Sequence, residues 1–347
     1  MKQTQIKEFL TKIGIPLVEP DTCFHYTSFE NLFSILENDD LFMSNVLFMN
    51  DKMELLETIK VFYELKNDDE IKLKKKYQQM MEKRGCGYYV SSFCQKENIL
   101  SQWCKYSNNA SGVAIEFDWK NTDLESKLQK IDTIIWGKPI YEEKIKKEIC
   151  DKIKTISSEL YKLKTNPDYT PSSDWFVGGL GLVAVAFVFA FPWLAAGAAA
   201  TGYAIDKFSK NKTEDLKNFL EFINEEKEIS EESIKAALLH RISPFFKDES
   251  FKEEDEIRMV YYRKDNDTST IQHRFKENRG IIPYVSIKKL LKDKELLKNH
   301  EKLNLPISKI WIGSCENREW IKESLEYYLK QKKLNIKIEQ SKIPYRG

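Results

Sequence analysis

Two short stretches of the chain carry side chains that could bind or activate a ligand. In CFHYTSFE, residues 23–30, His25 stands at the end of an apolar run and directly before a predicted helix. A histidine at this place can donate a hydrogen bond to a ligand whose anionic group rests on the free N–H groups of the helix. A histidine with a purely structural role explains the same pattern, so both interpretations stay open.

The second stretch is EEDEIRMV, residues 253–260, where acidic residues lead into a β-rich run. If the strand starts early, Glu254, Glu256 and Arg258 alternate onto one face of it. Arg258 could then orient a carboxylate or bind a phosphate group through paired N–H donors. The competing interpretation is a surface ion pair, worth about 0.2 to 1 kcal/mol and without a role in function.

Other polar residues fall into two further motifs. The turn FMND, residues 48–51, with the nearby Ser44, and the segment NILSQWCKYS, residues 98–107, supply the binding candidates Ser44, Asn50, Asp51, Gln102 and Tyr106. Helix capping explains either Asn50 or Asp51 well, but hardly both. Trp103 is expected in the core, and no metal-ligand spacing connects the remaining histidines, so no metal site is predicted.

These residues require a framework of mixed strands and helices. Strands are predicted at residues 88–93, 112–117, 257–262 and 309–313, and helices at 29–38, 51–66, 285–300 and 317–332. Thr27 and Glu30 form a capping-box pattern that predicts the start of the first helix. Along the preceding strand, His25 and Thr27 should project to one face and Phe24 and Tyr26 to the other. Strands and helices do not alternate strictly, so the pattern predicts an α+β fold.

Composition limits the function classes. The chain has 347 residues, with 55 basic and 54 acidic side chains, so no overall positive field would attract nucleic acid. Its six cysteines are scattered without a CxxC pair, which predicts reduced thiols in a cytoplasmic protein. The length suits about two domains.

One segment departs from the soluble pattern. Residues 175–205 contain no charged side chain, and lysines flank the segment on both sides. Because lysine-rich flanks both favour the cytoplasmic side, a shallow hairpin in a membrane fits better than a single span. The alternative is a hairpin buried against the same protein or a sister subunit. We predict a cytoplasmic, membrane-associated protein.

Amphipathic helices border this segment. Apolar residues recur at helical spacing from Ile145 to Leu163 and again from Leu216 to Ile223. The pattern predicts a helical insertion at 141–239 that interrupts an α+β domain formed by residues 1–140 and 240–347. An ordinary pair of amphipathic helices on a core is the alternative.

Several motifs together carry a family resemblance. HYTSFENLFSILENDDLFMSNVLFMNDKMELLE, VSSFCQKENILSQWCKYSNNASGVAIEFD, FKEEDEIRMVYYR and the terminal SKIPYR resemble the successive motifs of the domain of unknown function 2971 family. The resemblance covers about two thirds of the chain and skips residues 145–235. It implies no reaction.

A second, looser resemblance implies a reaction. An early strand with His25, a helix directly after it and a late acidic strand are similar to the ADP-ribosyltransferase-like fold, with its His-Tyr-Glu triad. The resemblance implies that His25 holds the adenosine ribose of NAD and that Glu256 contacts the nicotinamide ribose. Tyr26 projects away, so Tyr106 or Phe48 is the candidate for the nicotinamide-stacking ring. A carboxylate at this place stabilises the positive charge that develops on the ribose as the bond breaks.

Taken together, the sequence predicts an NAD-using ADP-ribosyltransferase or NAD glycohydrolase of the toxin or antiphage type. Its catalytic residues would be Glu256 and His25, and its cofactor-binding residues His25, Thr27, Ser44, Asn50, Asp51, Gln102, Tyr106 and Arg258. The alternative is a non-enzymatic effector that perturbs membranes through the 175–205 hairpin, with the α+β domain as a sensor. Nucleic-acid cleavage by the His25 and Glu256 pocket is a third possibility, which the balanced charge disfavours.

Overall fold

The computed structural model describes residues 3–48, 54–65, 71, 75, 88–131, 133–166, 230–263, 270–276 and 280–343. The chain forms two compact units, and each is assembled from three separate stretches. The first unit comprises Met1–Pro16, Lys52–Gly87 and Glu142–Phe246; the second comprises Leu17–Asp51, Tyr88–Tyr141 and Lys247–Gly347. The predicted hairpin at 175–205 and the helix at 216–223 lie outside the described residues, so the insertion stays a prediction.

The described strands all belong to the second unit and form one ten-stranded mixed sheet. They are β1 (Thr22–Thr27), β2 (Phe42–Asn45), β3 (Tyr88–Cys94), β4 (Val113–Asp118), β5 (Ile134–Gly137), β6 (Glu256–Tyr262), β7 (Ile271–Lys276), β8 (Gly280–Ser286), β9 (Ile307–Ile312) and β10 (Lys337–Gln340). The predicted α+β class is confirmed.

The helices are distributed over both units. They are α1 (Gln3–Ile13), α2 (Phe29–Asn38), α3 (Glu54–Phe62), α4 (Leu100–Tyr106), α5 (Asp123–Gln129), α6 (Glu143–Thr165), α7 (Glu231–Ile242), α8 (Ile287–Asp293) and α9 (Arg318–Lys332). In the first unit, α3 and α7 both pack against α6. The predicted apolar stripe of α6 is buried at Ile149, Ile153, Ile156 and Leu160. No helix in the described part of the chain is long and apolar enough to cross a bilayer.

The sheet branches at β3. One edge of β3 pairs with β6 along its whole length, from Tyr88 opposite Tyr262 to Cys94 opposite Glu256. The other edge is shared, because β2 pairs near Val90 and β1 pairs at Cys94. A strand has only two edges for hydrogen bonding, so β1 and β2 lie on the same side of β3. The main path of the sheet runs β10-β9-β4-β1-β3-β2-β8-β7, and β6 and β5 form the branch.

The two faces of this sheet carry different cores. The larger core lies on the side of Phe93, where α2, α5, α8 and α9 contribute buried leucines and two isoleucines. The opposite side, here called the Tyr26 face, carries Phe24, Tyr26 and Ala114 of the sheet beneath Trp103 of α4. Because α4 packs on the Tyr26 face, it also brings its last residue, Tyr106, to that side of the sheet.

Two predicted helix starts differ from the structure by one or two residues. Thr27 is still part of β1, and its hydroxyl accepts a hydrogen bond from the Asn31 side chain at 2.8 Å. The N-cap of α2 is instead Ser28, whose hydroxyl accepts from the backbone N–H of Asn31 at 3.3 Å. The capping-box prediction for Thr27 was therefore wrong, because the strand continues one residue further. Similarly, Val285 and Ser286 belong to β8, and Ser286 caps α8. This helix ends at Asp293, so the predicted end at residue 300 was wrong.

Replacing Ser28 by Ala should lower the free energy of unfolding by about 1 kcal/mol, because it removes the side-chain acceptor at the start of α2. Urea denaturation monitored by circular dichroism measures this change. The matched control is Ser34→Ala, an alanine substitution within the same helix. An effect of Ser28→Ala no larger than that of Ser34→Ala would contradict the assignment of the cap.

Candidate functional site

Glu256, the first residue of β6, is held by two buried cations. Arg258 donates from Nε to Oε1 at 2.9 Å and from Nη2 to Oε2 at 3.0 Å, which is a bidentate contact. Lys247 donates from Nζ to Oε2 of the same carboxylate at 2.6 Å. Glu256 is 6% exposed and Arg258 is 1% exposed, so the interpretation as a surface ion pair does not hold.

A second carboxylate joins this arrangement. Glu254 accepts from Lys247 at 2.5 Å on one oxygen, and from Lys105 at 2.7 Å and the Tyr106 hydroxyl at 3.1 Å on the other. We call the whole group the carboxylate cluster: Lys105, Tyr106, Lys247, Glu254, Glu256 and Arg258. Three of these residues are cations and two are carboxylates.

The local backbone explains how the two carboxylates meet. Residues Glu249–Glu254 form a 3-10 helix, and Asp255 follows in the left-handed region with φ of 44°. Aspartate is among the residues that tolerate this conformation. The strand begins only at Glu256, so the predicted alternation of Glu254 and Glu256 along one strand was wrong. The turn at Asp255, and the bridging Lys247, bring the two carboxylates together instead.

The electrostatics keep Glu256 ionised. Burial by itself would raise the pKa of its carboxyl group. The positive charges of Arg258 and Lys247 and their hydrogen bonds outweigh burial, and the net result is a pKa below the usual range. Glu256 therefore carries a fixed negative charge at neutral pH.

Two hydroxyl groups at this place have no hydrogen-bond partner among the described residues. One is the hydroxyl of Tyr141, a residue that is only 8% exposed. Burial and, to a smaller extent, the negative charge of Glu256 raise the pKa of Tyr141. The other is the buried hydroxyl of Ser92, which lies directly opposite Arg258 in the pairing of β3 and β6. Buried hydroxyls normally find a partner, which makes these two candidates for contact with a bound molecule.

His25 lies on the opposite face of the sheet from Glu256. Phe24 pairs with Cys94, and Cys94 pairs with Glu256, so these three side chains share the Tyr26 face. His25 is the next residue after Phe24, and its side chain projects to the Phe93 side. There its ring lies 5.8 Å from the Phe93 ring, and its Nδ1 is 3.1 Å from the Ser92 carbonyl oxygen. The structure thus does not bring His25 and Glu256 into one pocket.

The other predicted binding residues are likewise divided between the carboxylate cluster and other places in the structure. Tyr106 and Arg258 belong to the carboxylate cluster, whereas Thr27 contacts Asn31 and Gln102 is buried in α4. Ser44 accepts a hydrogen bond from Arg274 at 3.0 Å. Phe48, one of the two candidate stacking rings, is 38% exposed. Asn50 and Asp51 lie outside the described residues.

Sequence reasoning missed four residues at this site: Ser92, Lys105, Tyr141 and Lys247. Lys105 precedes the predicted Tyr106, and a lysine next to a site candidate was a signal that could have been used. Lys247 stands nine residues before Glu256 and gave no local signal, because a 3-10 helix intervenes. Tyr141 lies just before α6 and belongs to no motif.

Comparison with known proteins supports the family resemblance. Residues 102–259 match the family model described as Protein of unknown function (DUF2971). This range includes Lys105, Tyr106, Tyr141 and the acidic start of β6, but not His25. No curated protein and no solved structure matches the chain. The resemblance to the ADP-ribosyltransferase-like fold stays a prediction.

Replacing Glu256 by Gln should lower the free energy of unfolding at pH 7 by about 3 to 5 kcal/mol, because Arg258 and Lys247 lose their buried counter-charge. The loss should depend on pH. The folded pKa of Glu256 lies below the unfolded value of about 4.3, so its stabilisation is complete above that pH and disappears as the pH falls through the folded pKa.

Urea titrations of wild type and Glu256→Gln between pH 7 and pH 3 measure both effects. The difference between the two proteins should shrink towards pH 3. Glu253→Gln, at an exposed neighbouring position, is the control and should differ little from wild type. A constant difference across this pH range would contradict the assigned ionisation.

Proposed function

We propose that the protein cleaves the nicotinamide–ribose bond of NAD at the carboxylate cluster and passes ADP-ribose to water or to another acceptor. The observation that carries this proposal is the buried carboxylate of Glu256, which Arg258 and Lys247 hold, together with the buried Tyr141 hydroxyl, which finds no partner among the described residues. A fixed carboxylate and an available hydroxyl are what such a reaction needs from a protein.

The chemistry follows from the charge that develops during bond cleavage. As nicotinamide leaves, positive charge builds up on the ribose ring, as it does on the sugar in glycoside hydrolysis. A carboxylate fixed beside that sugar stabilises the charge more in the transition state than in the ground state. Arg258 and Lys247 keep Glu256 ionised and fix its orientation on β6, so no proton has to be removed before reaction.

The surrounding groups have complementary roles in this proposal. Cationic side chains at the cluster favour a ligand that carries phosphates. Lys105 is the most exposed of its cations, with 37% of the side chain accessible, and is suited to contact the pyrophosphate. Tyr106 and Tyr141 would supply the aromatic wall beside the nicotinamide.

His25 has no place in this site, in contrast to the role that the resemblance gave it. Its contact with the Ser92 carbonyl oxygen supports β3 from the Phe93 side. Replacing His25 therefore affects catalysis only through the position of β3. The proposal depends on Glu256 and Tyr141.

The test is nicotinamide release from NAD by wild type, Glu256→Gln and Tyr141→Phe, each with and without detergent. Release should fall more than about 100-fold in Glu256→Gln, since removing one electrostatic stabiliser costs about 10²–10³ in rate. Tyr141→Phe should slow release without loss of stability, because it removes a buried hydroxyl that has no partner within the described structure.

Tyr141→Phe separates function from folding, since a purely structural tyrosine would give unchanged turnover together with equal or higher stability. Glu253→Gln is the matched control for charge. Absence of nicotinamide release by wild type in every condition would overturn the proposal, as would full release by a folded Glu256→Gln protein.

A second candidate function is supported by the uncharged segment 175–205. In this proposal the segment attaches the protein to the cytoplasmic side of a membrane, or to sister subunits, and oligomers of it perturb the bilayer. Dye release from liposomes distinguishes the two functions. If the protein acts as the proposed enzyme, we expect no dye leakage. Leakage caused by both wild type and Glu256→Gln would favour the membrane effector.

A further inference from the structure

Helix α9 exposes two large aromatic side chains on one face. Trp320 is 76% exposed and Tyr327 is 66% exposed. They lie seven residues apart, which is close to two helical turns, so both side chains project to the same side of the helix. The other side of α9 packs on the larger core through Leu325, Tyr328 and the buried Leu329. The two exposed rings therefore lie outside the core of the second unit.

A third exposed ring lies on the neighbouring helix. Phe33 of α2 is 56% exposed, and its ring centre is 5.7 Å from that of Tyr328, which follows Tyr327 in the chain. Single exposed hydrophobic side chains are normal on a soluble protein, whereas several that cluster on adjacent elements mark an interaction site. We call Phe33, Trp320 and Tyr327 the α9 patch.

Charged residues divide along the length of α9. Glu319 and Glu323 are exposed in its first half, and Lys330 is exposed in its last turn. The lysine of the first half, Lys322, is partly buried and lies 3.9 Å from the Glu326 carboxylate of the same helix. A parallel pair of such helices would bring like charges together. An antiparallel pair places the acidic half of each helix against the basic end of the other.

A second copy of this helix supplies the groups that the α9 patch needs as partners. If two α9 helices pack antiparallel with a twofold axis at the middle of the helix, Lys330 of one copy lies opposite Trp320 of the other. The same lysine then lies between Glu319 and Glu323 of the second copy, and Tyr327 lies opposite Glu323. Because the axis relates the two copies, each of these contacts forms twice.

The opposed groups are chemically matched. An ammonium group over a tryptophan ring is attracted by the negative face of the ring, so Lys330 suits Trp320. The oxygen of Tyr327 accepts a hydrogen bond from the Gln331 side chain at 2.9 Å, and its own O–H can donate to the carboxylate of Glu323 in the second copy. The outer face of α9 is thus complementary to itself in this orientation.

We propose that the outer face of α9 is the interface of a homodimer, in which two copies pair their α9 helices antiparallel through Trp320 and Tyr327. The helix has 15 residues and is about 22 Å long. One helix pair buries less than the roughly 800 Å² per partner of a standard interface, so the dimer should dissociate on dilution. This inference does not depend on the proposed reaction with NAD.

The experiment is sedimentation equilibrium of the full chain over a range of concentrations. Wild type should change from monomer to dimer, and Trp320→Ala should raise the dissociation constant at least about 10-fold, because buried tryptophans dominate the binding energy of interfaces. Phe275→Ala is the matched control, since Phe275 is 78% exposed on β7 at the opposite end of the sheet. It should leave the dissociation constant unchanged.

Charge exchange tests the antiparallel orientation. Glu323→Lys places a lysine beside Lys330 of the second copy, and Lys330→Glu places a glutamate beside Glu323 of the second copy. Each single variant should weaken the dimer, because like charges then face each other twice. The double variant should restore most of the affinity, which neither loss of folding nor a parallel arrangement explains.

Three results would overturn the inference. The first is a wild type that stays monomeric at every concentration, including the case in which Trp320 instead governs binding to liposomes. The second is a dimer of undiminished affinity in Trp320→Ala, which would assign association to another surface such as the 175–205 segment. The third is a double charge variant that dimerises no better than the two single variants.

Discussion

The bridge that Lys247 forms between Glu254 and Glu256 determines the geometry of the whole site. Its ammonium group is almost fully buried, and so are both carboxylates. A buried charge without a partner costs several kcal/mol, so these groups must stay together for the second unit to fold. The bridge fixes the 3-10 helix at Glu249–Glu254 against the start of β6. Through the pairing of β6 with β3, it also fixes the place of Ser92.

The branch at β3 determines which side chains can meet. Because side chains alternate along a strand, a shift of one residue in register would exchange the two faces. The observed register places Glu256, Ser92 and Ser44 on the Tyr26 face and His25 on the other. One edge of β3 is paired along its whole length and the other is paired near both of its ends, so a slip of this strand would break pairings with β6, β1 and β2 together. The site is therefore built on a strand that its neighbours hold in place.

The sequence predicted the local elements well, because helices and strands are reflected in the spacing of apolar and polar residues along the chain. The helix at 29–38 and the main strands appear within one or two residues of the predicted bounds, and the alternation of His25 against Phe24 and Tyr26 is observed. Register between strands is not a local property, and it is what separates His25 from Glu256. Lys105, Tyr141 and Lys247 reach the cluster through tertiary packing, so no spacing rule could have assembled them.

The composition of the carboxylate cluster argues for a ligand more strongly than for a structural role. A purely structural ion network gains most when its charges cancel and each buried polar group is satisfied. Here the hydroxyl of Tyr141 finds no acceptor in the described parts of the chain. A phenylalanine at that position would remove a cost of about 1 to 3 kcal/mol. Such local costs are characteristic of binding and catalytic sites, where stability is given up for contact with a ligand.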